Sequence, residues 1–228
     1  MEWIIDAVRV GAVKPLGPQG VPSGIDKTPV AGPVALIASG LIGDGHGDTR
    51  HHGGPEKAVH LYPFDHYAAW RVELPGLADR LVAGAFGENL VVGGITEAQV
   101  CIGDVFKIGT ALIEVSQGRQ PCWRLNLRFG IADMARRVQA SGRTGWYFRV
   151  IKTGSLAAGS SLTLARRPNP GWSLARVHGL LYRNTLDLEA LAEFAALPGL
   201  SSSWQTLARR RLERRAVESW NPRVETPD

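Results

Sequence analysis

With 228 residues, 44% hydrophobic and 21% charged, the chain suffices for one sizeable domain, or one domain with an appendage, burying its own core. Two cysteines exclude a disulfide framework, and no apolar run approaches the length of a bilayer span. The net charge of +5 favours an anionic ligand but does not choose between a nucleic acid, a phosphorylated cofactor and simple solubility.

The start, Met1-Glu2-Trp3-Ile4-Ile5-Asp6, lacks the basic residues and apolar stretch of a secretion signal, so a cytoplasmic protein with free thiols is expected. The first two thirds then read as short strands punctuated by Gly and Pro: Val8–Val13, Val34–Ile37, Ala58–Tyr62, Asn89–Val92, Val105–Ile108, Leu112–Ser116 and Tyr147–Ile151. Such spacing predicts a mainly β (α+β) domain built on a β-barrel or sandwich, not a doubly wound sheet. Two helices interrupt it. Pro63–Leu74 opens on proline and buries Tyr67 and Trp70, whereas Ile131–Ala140 places Ile131, Met134, Ala135 and Val138 on one face before Gly142. Arg167-Pro168-Asn169-Pro170-Gly171 reads as a linker. Helices over Leu174–Tyr182, Leu186–Ala196 and Ser203–Val217 follow, the second with an apolar stripe of Leu188, Leu191, Ala192 and Ala195. The chain thus divides into residues 1–167 and a three-helix module, 168–228. The run Arg209, Arg210, Arg211, Arg214 and Arg215 reads as a solvated helix face. With no aromatic ladder or DNA-binding motif beside it, neither nucleic acid nor a membrane is an expected partner.

Three polar segments carry chemistry. In Gly40–Lys57, GLIGDGHGDTRHHGGPEK, the spacing of His46, His51 and His52 fits no standard metal template. A polar ligand-binding loop is the better reading, its glycines admitting a ligand and Lys57 meeting a phosphate. In Ala85–Val92, Asn89 could face a heterocycle, although the residues alone favour a turn in which Asn bonds its own backbone. In Val115–Asn126, Cys122 follows Pro121 between Arg119 and Arg124, and neighbouring cations favour a thiolate, a soft donor to transition metals. An inert small hydrophobe is the alternative. Cys101, in an apolar run, reads as core.

Taken in order, Gly43-Asp44, His52-Gly53-Gly54, Lys57-Ala58-Val59, Phe86-Gly87-Glu88-Asn89-Leu90, Ile102-Gly103-Asp104 and Val115-Ser116-Gln117 with Arg119, Pro121 and Cys122 resemble the MOSC domain. That family is named for the C-terminal domain of molybdenum-cofactor sulfurases, and the resemblance spans about residues 25 to 165. Ser23 to Lys27, Tyr62 to Trp70, Gly145-Trp146-Tyr147 and the helical tail look like its bacterial YiiM subgroup. The resemblance implies a MOSC-type β-barrel with interspersed helices plus a C-terminal three-helix module. It also implies the molybdenum cofactor (Mo-molybdopterin), with Cys122 ligating molybdenum or handling sulfur, and Lys27, His52, Lys57, Asn89 and Arg119 holding pterin and phosphate. Gly118 departs from the pattern, standing where the resemblance leads one to expect proline.

The activity so implied is reduction of N-hydroxylated small molecules such as 6-hydroxylaminopurine. N–O cleavage needs two electrons, protons and an oxygen acceptor, and a histidine of the 46–52 loop is a candidate proton donor. No nicotinamide or flavin fingerprint appears, so a separate electron-donating reductase is the expected partner. The alternatives are a persulfide carrier and a non-catalytic cofactor carrier.

Overall fold

The computed structural model describes residues 1–48 and 52–227; the expectation for His51 lies outside them. The first strand, β1 (Glu2–Val10), buries both Ile5 and Val8, which have opposite parity. Its register against the sheet shifts between Ile5 and Ala7, and this bulge turns both side chains inward. A small hairpin, β2 (Lys14–Leu16) and β3 (Val21–Ser23), follows, then β4 (Thr28–Pro29), and β5 (Val34–Ile37) with β6 (Gly40–Leu41). The polar loop after β6 leads to β7 (Val59–Pro63), helix α1 (His66–Glu73) and β8 (Leu90–Val92). The hairpin β9 (Val105–Ile108) and β10 (Ala111–Gly118) ends at the Cys122 loop. Helices α2 (Arg124–Phe129) and α3 (Met134–Ser141) lead on to β11 (Trp146–Lys152), β12 (Gly154–Leu156) and β13 (Ser161–Arg166).

Among the described residues, seven strands close into a barrel in the order β1, β8, β7, β11, β10, β9, β13 and back to β1. Closure satisfies the edges that an open sheet would expose. Neighbours are antiparallel except β7 and β8, where Leu61 faces Leu90 in parallel register. Pro63 therefore ends a strand, opposite Val92, and does not open α1, which starts after Asp65 and buries Tyr67 and Trp70 as expected. All of β7 is buried because each face has a core. Leu61 joins the barrel interior, whereas Tyr62 belongs to a second cluster with Tyr67, Trp70, Phe86, Leu125 and Met134.

The C-terminal part comprises α4 (Leu174–Tyr182), α5 (Leu188–Ala195) and α6 (Ser202–Arg214), followed by a short α7 (Asn221–Val224). Ser173, Asp187 and Ser201 cap the first three, each side chain accepting from a backbone N–H three residues on. Their apolar faces, through Leu174, Val177, Leu191, Phe194 and Trp204, share one continuous core with the barrel. Three expectations need correction here. Ala192 faces solvent, and Phe194 takes its place in the buried stripe. The Arg167–Gly171 stretch is stitched down: Arg167 pairs with Asp104, and Asn169 donates to the carbonyls of Ile102 (2.8 Å) and Pro198 (2.9 Å). Arg211, only 1% exposed, points inward out of the basic run, bonded to Glu218 and the Leu181 carbonyl. Gly118 has a packing reason: a Cβ there would stand 3.0 Å from Trp204 of α6, at the strand end that feeds the Cys122 loop. Among the described residues no helix is long and apolar enough to cross a membrane.

Candidate functional site

The polar segments meet in one cleft at the barrel's rim, which encloses about 610 Å³ including its open mouth. That volume suits a small organic ligand. Lys27, His52, Lys57, Asn89, Arg119 and Cys122 all line it. Its floor is organised by Asp44. Gly43 turns with φ of 88°, and Asp44 enters with one oxygen accepting from the Gly11 N–H (2.9 Å) and the Lys27 ammonium, the other from the Asn89 amide (2.9 Å). Burial lowers the Lys27 pKa, and the Asp44 carboxylate opposes that shift. The other Asn89 contacts are internal too: it donates to the Arg9 carbonyl (3.1 Å) and accepts from the His60 N–H (3.0 Å). Lys27 and Asn89 thus build the floor through Asp44. The loops at Gly24 and Gly45 meet backbone to backbone, since a Cβ on Gly24 would fall 1.8 Å from the Gly45 carbonyl.

The opposite wall comes from the end of β10. Arg119 is anchored by its N–H to the Gly145 carbonyl (3.0 Å) and is only 7% exposed, yet its Nη1 is buried with no hydrogen-bond partner among the described residues. A buried donor left unpaired costs about 1–3 kcal/mol, so its position calls for an acceptor. Cys122 is half-buried, with Sγ 3.7 Å from His52 Nε2. Arg124 Nη1 lies 3.4 Å from the same nitrogen, its Nη2 pairs with Asp48 (3.3 Å), and its guanidinium stacks on Trp123 (4.7 Å). A guanidinium only donates, so Nε2 is the unprotonated nitrogen of His52. Burial first, then Arg124, Arg119 and Lys57, hold the His52 pKa down to about 4. The imidazole is therefore neutral at pH 7. Burial also lowers the pKa of Lys57, with Glu56 and Cys122 opposing. Cationic groups thus surround one soft sulfur and one neutral imidazole.

A family model described as the MOSC domain matches residues 48–163, and one described as the YiiM-like, 3-alpha helix domain matches residues 172–215. The chain belongs to the MOSC-domain family, in its YiiM-like branch. This MOSC-domain chain is 38% identical over 208 residues to Protein YiiM of Escherichia coli strain K12, covering 91% of this chain and 92% of that protein. It is 41% identical over 208 residues to a protein of Gibberella moniliformis named "Reductase", covering 90% of this chain but spanning only 36% of that relative. The crystal structure of YiiM from Escherichia coli superposes with a TM-score of 0.82 at 34% identity, covering 94% of this chain and 100% of that one.

Within this MOSC domain, Arg124, His60 and Tyr147 also line the cleft without a role read from sequence; His60 and Tyr147 pair across β7 and β11 on the face opposite the barrel-core residues Leu61 and Phe148, and Asp44 supports the cleft from behind its lining. Burial pushes the His60 pKa well below the usual histidine value. Glu88, beside Asn89, serves the wall instead, accepting from Tyr67, Gly84 N–H (2.5 Å) and Phe86 N–H (3.1 Å). Among the described residues no three His, Cys, Asp or Glu side chains gather as a metal cage.

Proposed function

We propose that the cleft holds the molybdenum cofactor, Mo-molybdopterin, with Cys122 as the protein's ligand to the metal. In this reading the chain reduces N-hydroxylated small molecules such as 6-hydroxylaminopurine, using electrons from a separate reductase. The observation that carries it is the pairing, in one cleft, of the half-buried Cys122 sulfur with the unpaired Nη1 of the buried Arg119 guanidinium. The residues fit such a cofactor. One thiolate suits a soft metal arriving with other ligands of its own, and the unpaired Nη1 with neighbouring cations suits an anionic group such as phosphate. When bound, the cofactor would supply the two-electron centre and oxygen acceptor that N–O cleavage demands. The chain's own part is positional and electrostatic. Arg119 and Lys57 neutralise anionic charge, Lys27 and Asn89 hold the floor through Asp44, and the neutral His52 imidazole packs 3.7 Å from a sulfur whose proton leaves to solvent when it becomes a ligand. The relative named "Reductase" supports the reaction class.

The test is purification from cells able to make the cofactor, followed by molybdenum quantitation, release of the oxidised pterin and anaerobic reduction of 6-hydroxylaminopurine with an artificial donor. Bound metal and turnover are expected in the native protein, and loss of both in Cys122→Ser. Full metal and full activity in that variant would contradict the assignment. Sulfide release after cysteine-desulfurase treatment would favour a persulfide carrier instead.

A further inference from the structure

The chain beyond α6 returns to the Cys122 loop, outside both segments that match family models. Arg215, with φ of 47°, turns it off the helix. Arg211 then latches it, donating to Glu218 from Nε (2.9 Å) and Nη2 (2.7 Å) while Nη1 donates to the Leu181 carbonyl (2.9 Å). Trp220 packs edge-on against Tyr182, ring centroids 5.4 Å apart. Val224, fully buried, seats α7, and its carbonyl accepts from Asn126 of α2 (2.9 Å). Between these anchors Arg223 brackets the cysteine. Its backbone carbonyl accepts from the Trp123 N–H (2.8 Å), its Nη1 donates to the Pro121 carbonyl, and its Nη2 reaches Gln139 (2.5 Å). Both chain neighbours of Cys122 are therefore held by one residue from the far end of the sequence.

We propose that Arg223 is a positioning residue that fixes the Cys122 loop so that its sulfur faces the cleft, with residues 218–226 acting as a strap latched by Arg211 and Glu218. A reactive atom must be held within a fraction of an ångström of its working position, and a loop left to itself samples a wider range. Pro121 has no N–H to offer, so tethering through its carbonyl is one of the few ways to pin the residue before the cysteine. The inference rests on the reading that Cys122 is the working thiol of the cleft, but its test needs no cofactor.

In the full-length, cofactor-free protein, the Cys122 thiol is alkylated with iodoacetamide and the Cys122 peptide followed by mass spectrometry. Hydrogen exchange reports the Trp123 amide, with amides of β11 as the internal control. Arg223→Ala is expected to speed both alkylation and Trp123 exchange about fivefold or more, the factor that one lost hydrogen bond puts on a local opening. Protection of β11 should persist, and Arg223→Lys should restore part of the effect. Should Arg223→Ala fail to fold, Glu218→Gln loosens the latch away from the loop and is expected to act in the same direction. Folded Arg223→Ala and Glu218→Gln proteins with native alkylation and exchange rates would overturn the proposal. Altered rates in a protein that never acquires molybdenum would leave the strap standing while the cofactor reading fails.

Discussion

Cys101 and Cys122 carry the same thiol in opposite surroundings. Cys101 sits at an isolated bridge to Ser173, 3% exposed, with Sγ 3.6 Å from the Pro170 carbonyl. Burial and the Asp104 carboxylate push its pKa up, so it stays a thiol that packs. Cys122 is half-buried on an open cleft, with His52 Nε2 at 3.7 Å and the cations of Arg119, Arg124 and Lys57 around the same cavity. Neighbours, not residue type, decide which cysteine can work as a soft ligand. The Cys122 side also carries a cost that the Cys101 side does not: one buried guanidinium nitrogen, Arg119 Nη1, without an acceptor among the described residues.

That contrast breaks most visibly by exchanging the roles of the two thiols. Cys101→Ser is expected to keep cofactor and turnover, whereas Cys122→Ser loses them, as metal analysis of the two variants will show. Metal loss in Cys101→Ser alone would reverse the comparison. Next in size is Arg119→Met. Losing a charge-assisted bond to an anionic ligand should weaken cofactor retention about 10–100-fold, or about 1.5–3 kcal/mol. Thermal unfolding of the cofactor-free variant should shift by no more than about 1 kcal/mol, because the unpaired buried Nη1 is removed together with the Arg119 hydrogen bond to Tyr147. A clear drop in its midpoint would mean that Arg119 is structural.

Acid sharpens the same contrast in the cofactor-free protein. His52 titrates near 4 when folded, against 6.5 in its ordinary state. Below 6.5 the unfolded chain takes up a proton that the folded chain refuses until about 4. Stability is therefore full above 6.5 and falls as the pH drops toward 4, by up to about 3 kcal/mol from this group. His52→Gln should flatten that part of the slope in denaturant titrations across the range, and an unchanged slope would show that the ring is not held neutral. The smallest effect expected is at Gly118→Ala, where the new Cβ presses on Trp204 and costs about 1–2 kcal/mol by urea unfolding.

Much of this architecture was legible in the sequence, for identifiable reasons. Val34–Ile37, Val105–Ile108 and Leu174–Tyr182 match their expected bounds, because clear apolar runs end at turn residues or caps. Their spacing points to a mainly β domain, barrel or sandwich, with a helical C-terminal part, and the MOSC resemblance selects the barrel that the strands close. The α2 segment escaped because six residues hold too little of a helical period, although Leu125 and Phe129 share one face. Pro63 misled because its missing N–H is tolerated equally at a helix start and at the strand end where it lies. In the cleft, motif order brought all six expected residues together, but not their division of labour. That Asn89 and Lys27 spend themselves on Asp44 depends on contacts between distant segments, as does the return of Arg223 to Pro121. Neither spacing nor composition encodes such contacts locally.

The most direct measurement of the central claim is X-ray absorption at the molybdenum edge, comparing the native protein with any residual metal-bound Cys122→Ser. The native sulfur shell is expected to contain one more sulfur than the variant's. An identical sulfur count in both would mean that Cys122 does not bond the metal.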